Sequence, residues 1–191
     1  MDTGALQVLD FWFGASGSPE WGQTRPLWFS KSEATDTLIR SRFGDTVEAA
    51  LRGELDHWNR EPREKLARIV LLDQFTRNIF RDTPRAFAGD APALRLAADL
   101  VDSGQHTTLS LHERWFAYMP FEHAESLAMQ ERSVGLFTAL ASSGLAEPLD
   151  WAVMHRDVVR RFGRFPHRNA ILGRASTPEE ASFLQQPGSR F

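Results

Sequence analysis

The chain is predicted to be all-α, an irregular superhelix of stacked antiparallel helical hairpins of the tetratricopeptide-like kind. Apolar residues recur along most of its 191 residues at the helical period of about 3.6. Alternation with a period of two is almost absent, and Gly, Pro and Asp/Ser/Thr clusters punctuate the chain so that connections stay short. A self-repeat of about 34 residues is not discernible, so the hairpins are not a regular array. One all-α domain over residues 1–191, or two intimately packed helical lobes, is expected to bury roughly 70% of its unfolded surface.

The elements follow in order. Leu6 to Phe13 is short and very apolar, and the glycine-rich GASGSPEWG after it reads as a loop. Helices are expected from about Ser32 to Phe43, from Asp45 to about Leu55, and from Pro62, a first-turn proline, to about Arg81. Asp90 reads as the N-cap of a helix ending near Gly104. A helix from Leu109 to Met119 meets Pro120, a long one runs from about Phe121 to Ala141, and another from about Leu149 to Arg161. In STPEEASFL, Thr177 as N-cap, Pro178 at the first helical position and Glu180 form a capping box for a last short helix. Aromatic residues crowd the N-terminal segment: Trp12, Phe13, Trp21, Trp28 and Phe29 are expected to pack internally rather than form a dimer contact.

Composition narrows the function. A formal net charge of −3 argues against whole-protein attraction to nucleic acid or to an anionic membrane, and no apolar run approaches the roughly 20 residues that span a bilayer. Neither partner is expected. The N-terminus carries no Lys or Arg before Arg25, unlike a secretory signal, which predicts a cytoplasmic protein. With no cysteine, disulfides, thiolate metal sites and cysteine nucleophiles are excluded together. The oligomeric state is not legible.

The informative residues are polar ones on apolar faces. In LARIVLLDQFTRNIF, helical spacing puts Leu66, Ile69, Val70 and Phe80 on one face, with Asp73 and Arg77 between them. Gln74 and Arg81 lie along that edge and Asn78 a little beyond it. Asp73 and Arg77 stand at i,i+4, and burying either alone would cost several kcal/mol (about 3–5), so they are expected to pair. In PFEHAESLAMQERSVGLF, Glu122, His123, Ser126 and Gln130 fall among Leu127, Met129, Val134 and Phe137. In LDWAVMHRDVVRRF, His155 sits amid Trp151, Val158, Val159 and Phe162. Then RRFGRFPHRN ends that helix at Gly163 and presents His167, Arg168 and Asn169 on a loop anchored by Phe165 and Pro166. Buried polar groups need partners, so these segments are expected to meet in a central polar pocket.

Glu122-His123-x-Glu125 invites a metal reading, but neighbouring helical residues point apart and HExxH is absent, so no metal or other cofactor is expected. GASGS fails the nucleophile-elbow spacing, and neither a phosphate loop nor a dinucleotide fingerprint occurs.

At LLDQFTRNIFRDTPRAFAGDAPAL, YMPFEHAESLAMQERSVGLF and HRDVVRRFGRFPHRNAILGRASTPEEASFLQQPGSRF, with VLDFWFG at the start, the chain resembles an uncharacterised bacterial family, domain of unknown function 924. The resemblance covers nearly the whole chain. It implies a tetratricopeptide-like all-α fold and brings no reaction with it. Its signature segments hold Asp73, Gln74, Arg77, Asn78, His123, Glu125, His155, Arg168 and Asn169.

Three functional readings follow. The first is a pocket for a small anionic ligand or a peptide carboxylate, with Arg77, Arg81 and Arg168 as anchors. The second is a hydrolase or lyase with His123 or His155 as acid/base. The third is a polar network that only fixes helix packing.

Overall fold

The computed structural model describes residues 1–189, and every regular element among them is helical. Helix α1 (Thr3–Phe13) is capped by Asp2, whose carboxylate accepts the Gly4 N–H at 2.7 Å. It buries Val8, Leu9, Trp12 and Phe13. Trp28 and Phe13 follow the internal packing expected of the aromatic segment, whereas Phe29 remains 54% exposed and stacks on Trp115 at 5.1 Å.

Helix α2 (Glu33–Leu51) is continuous, where two helices were expected to meet at Gly44. A mid-helix glycine costs about 1 kcal/mol. The buried row Ile39, Phe43, Val47 and Ala50, at spacings of four, four and three, outweighs it and carries the helix through.

The helix expected from Pro62 to Arg81 is present in three consecutive pieces: α3 (Pro62–Ile69), a π-helical stretch (Val70–Phe75) and α4 (Thr76–Ile79). Within it the Thr76 N–H reaches back five residues to the Leu71 carbonyl. The wider turn inserts an extra residue and rotates all that follows relative to an ideal helix. Every residue from Glu64 to Thr76 is buried, so this rod forms the centre of the molecule, with α1, α2, α5 and α6 packed against it.

Helix α5 (Asp90–Asp102) is capped by Gly89, and Asp90 is its first residue rather than its cap. Only glycine fits at 89, because a Cβ there would lie 2.0 Å from the Leu72 carbonyl oxygen of the π stretch. The Asp90 carboxylate is thereby free of the backbone and turned to other partners.

Helix α6 (Leu111–Glu122) runs through Pro120, which was expected to end it, and α7 (Leu127–Ser142) begins later than predicted. The break falls at residues 123–126 because Gln130 reaches back from α7. Its amide nitrogen donates to the carbonyls of Glu122 at 2.6 Å and Ala124 at 2.8 Å, satisfying groups that the helix end leaves open. Helix α8 (Glu147–Phe162) packs on α7 and ends at Gly163, whose φ of 71° is the left-handed stop the sequence indicated. The last element, α9 (Pro178–Phe183), has the predicted capping box: Thr177 Oγ1 accepts the Glu180 N–H at 3.2 Å, and Glu180 accepts the Thr177 N–H at 2.8 Å. Among the described residues no helix is long and apolar enough to cross a membrane.

Candidate functional site

The π stretch delivers Asp73 into the interior with no exposure at all. One carboxylate oxygen lies 2.7 Å from His123 Nδ1, and the other accepts from the Gln74 amide at 2.6 Å. Burial opposes ionisation of Asp73, but His123 and Arg77 outweigh it and hold the carboxyl well below the usual carboxylate range. An ionised carboxylate only accepts, so His123 Nδ1 carries the hydrogen and Nε2 keeps the lone pair. Burial, and then the neighbouring Arg77 charge, lower the His123 pKa and keep the ring neutral.

Arg77 completes the turn. Its Nη1 lies 3.3 Å from the same Asp73 oxygen that holds His123, donates to the Asp73 carbonyl at 2.5 Å, and stands 3.0 Å from Asp90 Oδ1. The other Asp90 oxygen accepts from Arg168 Nη1 at 3.1 Å. Asp90 therefore bridges two guanidinium groups. Arg168 is flanked by the rings of Phe87 and Phe165, at 4.7 and 4.6 Å, and burial followed by Arg77 pushes its pKa down to about 10. Arg77 Nη2 and Arg168 Nε are both buried donors that meet no acceptor.

A second acid–base pair lies alongside. His155 Nδ1 donates to the Trp151 carbonyl at 2.8 Å and has Glu122 Oε1 at 3.2 Å. Burial, followed by the negative charge of Asp73, pushes the Glu122 carboxyl up to about 8, so it is protonated at neutral pH. Its Oε2 is buried and meets no partner. Burial, then His123, pushes His155 down to about 3; the His123 and His155 ring centroids are 6.3 Å apart. His167, pushed down to about 4 by burial and Arg168, is a third histidine beside the cluster.

The structure thus unites Asp73, Gln74, Arg77, Glu122, His123, His155 and Arg168. It separates four other candidates. Arg81 forms a two-pronged pair with Asp36 of α2, at 2.7 and 2.8 Å, and Asn78 donates to the same carboxylate at 2.7 Å. Gln130 caps the end of α6. Asn169 belongs to a clasp that ties α9 to the preceding loop, donating to Glu180 at 3.2 Å and accepting from Arg174 at 3.0 Å. Arg174 in turn pairs with Glu125 at 2.6 Å, and Glu125 also accepts the Phe165 N–H at 2.8 Å. Sequence reasoning missed Asp90 and Phe87 as members of the cluster. An aspartate at a helix start already has a local explanation as a cap, which hid its role.

Two cavities lie elsewhere, one lined by Phe13, Trp28 and His112 among others, the other by His57, Arg60 and Glu64. The cluster itself meets solvent at Arg77 and His123, which retain 23% and 11% side-chain exposure. Among the described residues no group of three or more His, Asp or Glu side chains is arranged to hold a metal ion.

Fold and cluster together define an all-helical protein built around a buried network of two acid–base pairs and an aspartate-bridged pair of arginines. Residues 8–188 match the family model described as bacterial protein of unknown function (DUF924), and the chain belongs to that family. It is similar to the solved structure of a protein of unknown function from Agrobacterium tumefaciens, at 41% identity and a TM-score of 0.84, over 96% of this chain and 99% of that one. Among curated proteins, none matches the chain.

Proposed function

We propose that the cluster binds a small anionic ligand or the carboxylate of a peptide, with Arg77 and Arg168 as the anchors. One observation carries the reading: two guanidinium groups converge on Asp90, and each keeps a buried N–H group without an acceptor. An unsatisfied buried donor costs about 1–3 kcal/mol, more when charged, and an incoming carboxylate oxygen would recover that cost. Planar guanidinium groups suit a carboxylate or phosphate better than a lysine would, and Asp90 holds both in place beforehand.

Arg81, the third anchor expected from the sequence, has no part in this reading because Asp36 occupies it. The test is ligand-dependent thermal stabilisation with short carboxylates, inorganic phosphate and peptides of varied C-terminus. A ligand at a hundred times its Kd adds about 2.7 kcal/mol to the stability of the wild type. Arg77→Ala and Arg168→Gln are expected to lose that response. An equal response in wild type and variants, or none in either, would mean that the network only holds the helices together.

A further inference from the structure

We propose that the cluster is also catalytic, with His123 as general base and the Glu122 carboxyl as general acid, cleaving a small carboxylate by elimination. This rests on the anion-binding reading, since Arg77 and Arg168 hold the substrate. Asp73 is the positioning residue: it fixes His123 with the hydrogen on Nδ1 and leaves Nε2 as the basic nitrogen. The contact is 2.7 Å from an oxygen with no solvent exposure, so water does not compete for it. The Glu122 carboxyl lies in the same cluster: its Oε1 is 3.2 Å from His155 Nδ1, the His155 and His123 ring centroids are 6.3 Å apart, and its Oε2 is a buried carboxyl oxygen without a partner. A carboxylic acid held neutral there is a donor waiting for an acceptor.

The chemistry balances within these groups. His123 Nε2 takes a proton from the carbon next to the bound carboxylate. The electron pair of the broken C–H bond spreads towards the carboxylate oxygens, where the charge it adds is stabilised by the N–H groups of Arg77 and Arg168. That pair then forms a carbon–carbon double bond as the bond from the next carbon to a hydroxyl oxygen or amino nitrogen breaks. The leaving atom takes the proton of Glu122 and departs as water or, from an unprotonated nitrogen, as ammonia or an amine. His123 is left protonated and Glu122 ionised, and proton exchange with solvent restores both. The substrate class is therefore a short carboxylate bearing a hydroxyl or amino group one carbon beyond the acidic C–H.

The decisive experiment follows deuterium in the wild type. Short hydroxy- and amino-carboxylates that stabilise the protein are incubated with it in heavy water, and proton NMR records exchange next to the carboxylate and any unsaturated product. Exchange and product are expected with the wild type. His123→Gln should lower both by at least about 100-fold. Glu122→Gln should retain exchange while product falls by a similar factor. Carboxylates that bind yet never exchange would overturn the proposal and leave the binding reading standing; if none binds, the binding reading itself fails. A readout that needs no variant is nitrogen NMR of His123: a neutral ring with its hydrogen on Nε2 would overturn the proposal.

Discussion

Two regions of the core are supplied by the same rod of helix and obey different rules. Phe75 enters an aromatic cluster, with ring centroids 5.4 Å from Trp12, 5.1 Å from Phe43 and 5.9 Å from Phe11. Trp28 and Phe116 extend it, 4.8 Å apart. Asp73, two residues earlier, enters the polar cluster. In the first region area removed from water is sufficient explanation, and edge-on ring geometry adds to it. In the second, the buried charges are offset by named partners, while Glu122 Oε2 and one nitrogen each of Arg77 and Arg168 stay unpaired. The aromatic side can lose a ring and remain an apolar core; the polar side cannot lose one member without stranding another.

Substitutions put that contrast to the test. The largest effect is expected from Asp73→Ala, which leaves Arg77 and His123 without their shared carboxylate and should destabilise by about 4 kcal/mol in urea unfolding. Phe116→Ala should cost slightly less, about 3.5 kcal/mol, as a cavity in the aromatic region. It should also keep the ligand-dependent stabilisation that Arg77→Ala loses; if both variants lose it, the two regions are not separable.

Next comes a dependence on pH. The Glu122 carboxyl is raised to about 8 from an ordinary 4.5, so its burial as a neutral group stabilises the fold below the ordinary value and that contribution is lost as pH rises towards 8. Glu122→Gln removes the titration. Its stability relative to wild type should therefore improve by about 3 kcal/mol between about pH 5 and pH 8. His155 slopes the other way: lowered to about 3 from 6.5, it stabilises above the ordinary value and loses that contribution as pH falls towards 3. The smallest effect belongs to neither region: Thr177→Ala should cost about 1 kcal/mol as a lost helix cap.

Much of this was legible in the sequence because local chemistry writes it there. The stop at Gly163 needs a left-handed residue, the box at Thr177 needs a hydroxyl and a carboxylate three apart, and Asp73, Arg77, His123 and His155 break apolar faces. Other features have distant causes. The π turn shifts a hydrogen bond by one residue without changing composition. The end of α6 is set by Gln130 from the next helix, so Pro120 misled. Gly44 looked like a break because its propensity is local, while the row of residues that overrides it is buried against other elements. On an ideal helix Arg81 lies along the edge of Asp73 and Asn78 a little beyond it, but the wider turn that separates them from Asp73 and the presence of Asp36 on α2 send them elsewhere.

The close approach at Gly89 works as a datum surface. Leu72, whose carbonyl it touches, precedes Asp73, and Gly89 precedes Asp90, so this single backbone contact sets the spacing between the carboxylate that holds the histidine and the one that bridges the arginines. A methyl group at 89 would lie 2.0 Å from that carbonyl oxygen, where real side-chain carbons essentially never come within 3.0 Å, and the two backbones would have to part. The position therefore serves as a fingerprint: a related chain with any larger residue there, even one retaining both aspartates, would hold them at a different separation.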